Sequence, residues 1–179
     1  MSEKQSEILE EEKLFEDSLD KNEVDSDFSE VLTQFEHSVK EVENFNADCL
    51  RELKALSKPP QAVKTVLTGL VILFKCKPTY VKVEGKSEID YWDMAKHLMA
   101  DPHKLKENML QFDKDNVSQA TLAKIKNIII ENSDCTEERV KNSSSKCLTI
   151  LQWIKSVYSY CQIKGNNKVS EKHEEKVKI

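Results

Sequence analysis

A chain of 179 residues has room for one domain plus an extension, but not for two full domains. Its net charge of −5 hides a split: residues 1–50 carry 16 acidic residues and 4 lysines, and the remainder carries 16 acidic and 23 basic residues. An acidic arm therefore precedes a basic body, which suits an acidic partner such as nucleic acid, an anionic membrane or an acidic protein surface.

Three glycines, four prolines and few alternating β-branched runs predict an all-α protein. The five cysteines (Cys49, Cys76, Cys135, Cys147 and Cys161) and four histidines follow no ligand spacing, so no metal and no cofactor is expected. With no apolar leader after Met1, the thiols are expected to be reduced and the chain cytosolic. The longest apolar run, residues 69–74, is far shorter than the roughly 20 residues a membrane span needs, which predicts a soluble chain with no membrane partner.

In chain order, residues 1–27 are acidic with scattered apolar positions and are expected to be disordered. From Phe28 the pattern tightens. Phe28, Phe35, Val42, Cys49 and Leu56 recur every seven residues, and Val31, Ser38, Phe45 and Glu52 fall three after the first four. That seam predicts one coiled-coil helix over 28–57, reaching about 40 Å, with polar lapses at Ser38 and Glu52. Pro59 and Pro60 then break it, because proline lacks the N–H and biases the residue before it away from helix. They also open a second helix, with Ser57 or Lys58 at the cap, Val63, Val66, Leu67 and Leu70 inward, and Lys64 and Thr65 on the other side.

Residues 75–90 form a lysine-rich connector in which "TYVKV" is either a short hairpin arm or an extended loop. "EGKS" (84–87) lacks the upstream glycine of a phosphate-binding loop and reads as a solvated turn. Helices follow over 89–100 and from Pro102, capped by Asp101, then a turn at "FDKDN" (112–116) and a helix over 118–132. Residues 135–164 are helical with a break at the serine run, and their second half carries the stripe Cys147, Ile150, Leu151, Ile154, Tyr158 and Cys161. That stripe faces the first arm, and the returning helix is expected to end near Lys164, leaving a charged tail over 165–179. The layout is a small helical bundle (58–146) at the tip of an antiparallel coiled-coil hairpin, with 147–164 serving as last bundle helix and returning arm. No serine, cysteine or histidine signature argues for catalysis. The basic bundle has no recognition-helix or zinc signature, so nucleic acid is not an expected partner. A coiled-coil adaptor that dimerises through residues 28–56 is the competing reading.

"ELKALSKPPQAVKTVLTGLVILF" (52–74) resembles the junction at which the outgoing stalk helix of a dynein heavy chain enters its microtubule-binding domain. "DYWDMAKHLMADPHKL", "FDKDN" and "CTEERVKNSSSKCLTILQWIKSVYSY" continue the resemblance in order, over residues 28–164, and look more axonemal than cytoplasmic. The resemblance implies a module that binds microtubules (tubulin), with other dynein subunits as further partners, in the axoneme of a cilium or flagellum. It also implies that one arm slides against the other to switch the tip between weak and strong binding. The motor ring is not in this chain, so no ATPase activity is expected of it. Carried over position by position, the resemblance makes Lys64 a tubulin contact of the first tip helix and Glu138 an acidic contact further on. The basic position four residues after Glu138 is Asn142 here, flanked by Lys141 and Lys146.

Overall fold

The computed structural model describes the backbone of residues 26–177 and the side chains of residues 26–166. The acidic segment 1–25 lies outside the described residues, and residues 26–27, expected to be disordered, are helical.

Among the described residues the architecture is an antiparallel helical hairpin carrying a helical bundle, with one β-ribbon. In order come α1 (residues 26–44), α2 (Cys49–Lys54), α3 (Gln61–Leu73), strands β1 (Tyr80–Val83) and β2 (Lys86–Ile89), α4 (Tyr91–Leu98) and α5 (Pro102–Leu110). A 3-10 turn (Lys114–Asn116), α6 (Gln119–Ile125), a π-turn (Lys126–Ile130), α7 (Glu137–Ser143) and α8 (Ser145–Val177) complete the order. No described helix is long and apolar enough to cross a membrane.

The outgoing arm is not one helix over 28–57. It breaks at residues 45–48, where the Asn46 side chain accepts the Asp48 N–H at 3.0 Å and offers the backbone a local alternative to helix. The carbonyls that this frees at Glu43 and Phe45 are taken by the Lys106 ammonium of α5, at 2.6 and 2.9 Å. Beyond the break Cys49 is half-buried in α2, whereas Leu56 stands outside any helix and is 38% exposed, so the seam does not run to Leu56. The two polar lapses are cross-arm contacts. Ser38 Oγ meets Ser156 Oγ at 2.7 Å, both buried, and Glu52 pairs with Lys146. Phe28 and Phe35 both pack on Tyr160, at ring separations of 5.8 and 6.1 Å. The arm therefore folds back on its own chain, through Ser156 and Tyr160 more than through the half-buried Tyr158.

α8 does not stop at Lys164. Its backbone stays helical through Gly165 to Val177, because one helix-interior glycine costs only about 1 kcal/mol and does not end a helix by itself. The serine run does break the chain, at Ser144, which is extended between α7 and α8.

The prolines lie just outside α3. α2 ends at Lys54, and Pro60 itself is the N-cap, with φ −55° set by its own ring and ψ 147°, the extended value of a capping residue. Val63, Val66 and Leu70 of α3 are completely buried, and Thr65, expected on the polar side, is buried too, its hydroxyl donating to the Gln61 carbonyl at 2.9 Å. Gly69 lets α3 approach its neighbours closely. A Cβ there would sit 2.9 Å from Ile129, which the π-turn carries, and 3.1 Å from Ile154 of α8. That π-turn replaces the last turn of the helix expected over 118–132. α3 ends in a Schellman motif, Cys76 N–H to Val71 O at 3.1 Å and Lys75 N–H to Ile72 O at 3.2 Å, with Lys75 at φ 50°.

The lysine-rich connector is a β-hairpin, Tyr80 opposite Ile89 and Val83 opposite Lys86. Glu84 (φ 48°) and Gly85 (φ 81°) form its two-residue turn; both need the left-handed region, and glycine enters it without cost. All eight strand residues are exposed. Four side-chain caps start α4, α5, α6 and α7: Asp90, Asp101, Ser118 and Thr136 each accept the N–H three residues on.

Candidate functional site

The elbow aims α3 across the bundle, where it packs against α4, α6, α7 and α8. Lys64 lies one turn past the cap, half-exposed, on the face opposite Val63 and Val66. α7, the neighbour of α3, presents Glu138 and Lys141 to solvent on either side of buried Val140. No ion pair or side-chain hydrogen bond occupies Lys64, Glu138 or Lys141 among the described residues. Glu137, by contrast, is tied to α8 through Gln152 (3.3 Å) and Lys155 (3.9 Å), and Arg139 to Asp134. One pair of adjacent helices thus carries two uncommitted cations and one uncommitted carboxylate.

Lys146 is not with them. It sits at the root of α8, bonded to Glu52 of the outgoing arm, and that hydrogen bond holds its pKa above the ordinary lysine value. Three other lysines that could have formed a basic footprint are likewise engaged, Lys104 with Glu107, Lys126 with Glu131, and Lys106 with the break in the arm, whereas Lys124 of α6 is exposed and, among the described residues, uncommitted. Pro59 and Pro60 stand between α2 and α3, with Pro60 as the cap in place of the expected Ser57 or Lys58. Of the seam residues Val42 is buried, while Phe28, Val31, Phe35 and Phe45 are packed at its edge.

A second constellation had no signature beyond a turn. The 3-10 turn after Phe112 folds onto the base of the hairpin. Asp115 Oδ1 accepts from Tyr160 Oη at 2.7 Å and from Lys164, and Cys161 Sγ donates to the Lys114 carbonyl at 3.2 Å. The hydrogen bond from Lys164, then that from Tyr160, hold the Asp115 carboxyl below the ordinary range, and the same bond raises Lys164. Burial, with Asp115 second, raises Tyr160, and burial pushes the Cys161 thiol up to about 11. The Lys114 ammonium lies 4.9 Å from the Tyr160 ring and 5.2 Å from the Phe35 ring, one from each arm. The cue in the sequence is charge inside the turn, "DKD", which local rules treat as solvated.

Buried Cys147, near 11 through burial, belongs to the core, and no group of three His, Cys, Asp or Glu side chains among the described residues could hold a metal.

The fold and its free charges define a class: a helical tip module mounted on an antiparallel two-helix stalk. The family model described as "Microtubule-binding stalk of dynein motor" matches residues 5–177, and the chain belongs to that family. Dynein axonemal heavy chain 1 of Mus musculus is 32% identical over 119 residues, which is 65% of this chain and 3% of that protein. Dynein axonemal heavy chain 10 of Homo sapiens is 26% identical over 161 residues, 90% of this chain and again 3% of the relative. The chain therefore spans a few hundredths of the length of these relatives. A solved structure titled "Microtubule Binding Domain of DYNEIN-C" shares the fold, with a TM-score of 0.67 at 23% identity, covering 78% of this chain and 90% of that one.

Proposed function

We propose that this chain binds microtubules through the α3–α7 end of its bundle, as the stalk-tip module of an axonemal dynein heavy chain. The observation that carries this is the family match over nearly the whole chain, together with the uncommitted Lys64 and Lys141 beside the elbow. Lys64 and Lys141 meet the acidic tubulin surface, and Glu138 meets a basic group of the same partner. Asn142 supplies no charge there. Lys146 joins the contact when it releases Glu52. Axial movement of α1 against α8 tilts α3 through the elbow and so changes the affinity. The module has no ATPase activity of its own and works within a larger motor in the axoneme of a cilium or flagellum, alongside other dynein subunits. The adaptor reading is disfavoured because the α1 seam is already filled by Ser156 and Tyr160 of the same chain.

Microtubule co-sedimentation tests the proposal. Lys64→Ala should weaken binding by about 1 kcal/mol or somewhat more, and Lys64→Glu further, with rising salt shrinking the difference. Helical content should hold. Unchanged binding of the Glu variant, beside measurable binding of the wild type, would remove Lys64 from the contact.

A further inference from the structure

The 3-10 turn is fastened to α8 at three points. Phe112 packs edge-on against Trp153 with ring centres 5.3 Å apart, Asp115 takes the Tyr160 and Lys164 bonds, and the Lys114 carbonyl takes the Cys161 thiol. The turn therefore travels with the returning arm. From it the Lys114 ammonium reaches the outgoing arm and rests on Phe35. A cation is drawn to an aromatic face and gains nothing comparable from an aliphatic side chain.

The outgoing sequence makes this contact specific to one alignment of the two arms. One helical turn on either side of Phe35 lie Val31 and Leu32, or Ser38 and Val39, none of them aromatic. A slip of one turn, about 6 Å, would put an aliphatic or hydroxyl side chain under Lys114. The buried seam beside it discriminates weakly. Ser38 can donate to the Phe35 carbonyl at 2.7 Å and Ser156 to the Trp153 carbonyl at 2.8 Å, so neither hydroxyl is stranded when the pair separates. A second grip lies further along, where Lys106 holds carbonyls that are free only at the break in the arm.

We propose that Lys114 is the register-setting residue of the stalk: it holds the outgoing arm in the alignment that places Phe35 beneath its ammonium group. Its meaning for binding rests on the stalk-tip reading above. The test needs no microtubules, so the two ideas fail separately.

The alignment can be read in the full chain with cysteine pairs, the disulfides mapped by peptide mass. Ser38→Cys with Ser156→Cys reports the alignment described here. Gln34→Cys or Val42→Cys with Ser156→Cys reports slips of one turn in either direction. In the Lys114→Met background the yield of the slipped pairs, relative to the aligned pair, should rise about threefold, as for loss of one cation–π contact. Phe35→Leu should do the same, and Lys114→Arg, which keeps a cation, should leave the ratio at its wild-type value. An unchanged ratio in Lys114→Met at wild-type helical content overturns the proposal. If that variant fails to fold, Lys114→Gln, which keeps a polar side chain without the cation, decides alone, and an unchanged ratio there overturns it equally.

Discussion

The two halves of α8 are held in different ways. From Cys147 to Ile154 the helix buries Cys147, Ile150, Leu151, Trp153 and Ile154 at 0–1% exposure, against an α3 that is itself apolar on most of its surface. From Ser156 onward, apart from the completely buried Val157, it is held by hydroxyls, rings and charges: Ser38, Phe28, Phe35 and the Lys114–Asp115 turn. The first half is close-packed, so displacement there opens voids or forces overlap. In the second half Ser38 and Ser156 have backbone acceptors in their own helices, so displacement strands no hydroxyl. A fixed platform and an adjustable joint are built on one helix. The proposed coupling of tip affinity to the position of an arm would require such a division.

The comparison predicts a steep gradient in mutational cost. Leu70→Ala, in the completely buried part of α3, should lose about 3 kcal/mol, within the range of 2–5 for leucine truncation in a core. Urea unfolding measures it, and a loss under 1 kcal/mol would mean that the platform can repack.

Ser38→Ala, equally buried but in the joint, should cost no more than about 0.5–1 kcal/mol, because Ser156 keeps its bond to the Trp153 carbonyl. The same unfolding curves measure it, and a loss of 3 kcal/mol would show that the joint is as rigid as the platform.

The smallest effect is electrostatic. Asp115 titrates below its ordinary value, so its contribution is present above the usual carboxylate range and fades as pH falls through the lowered pKa. Lys164 and Tyr160 are shifted up, so theirs are full below the unfolded values of 10.5 and 10.0 and fade as pH rises through the raised ones. Melting temperature, followed by circular dichroism, should therefore be nearly level between about pH 5 and 9 and fall on both sides, with both slopes shallower in Asp115→Asn. The groups are partly exposed, so the effect is a few degrees at most. Identical pH profiles for wild type and Asp115→Asn would detach this cluster from stability.

Much of the architecture was legible because it follows from local chemistry. Pro59–Pro60 cannot lie inside a helix, Asp101–Pro102 starts one, and the seven-residue recurrence of Phe28, Phe35 and Val42 marks an arm that needs a partner. Cys147 to Cys161 supplied that partner. The hairpin at Tyr80–Ile89 was half legible: "VEGK" has the residues of a tight turn, but strands with no buried face leave no alternation to read.

The sequence alone determined the break at Pro59–Pro60, the helix start at Asp101–Pro102 and the existence of a stalk with a basic tip, since each rests on residues a few positions apart. Tertiary structure decided where the outgoing helix breaks and which lysines remain free. Lys106 meets the carbonyls of Glu43 and Phe45 some sixty positions away, Lys146 meets Glu52, and Lys114 lies between Phe35 and Tyr160. A lysine on a polar helix face looks the same in sequence whether its ammonium group ends in water or on another helix; only the packing of the arms against the bundle chooses between them.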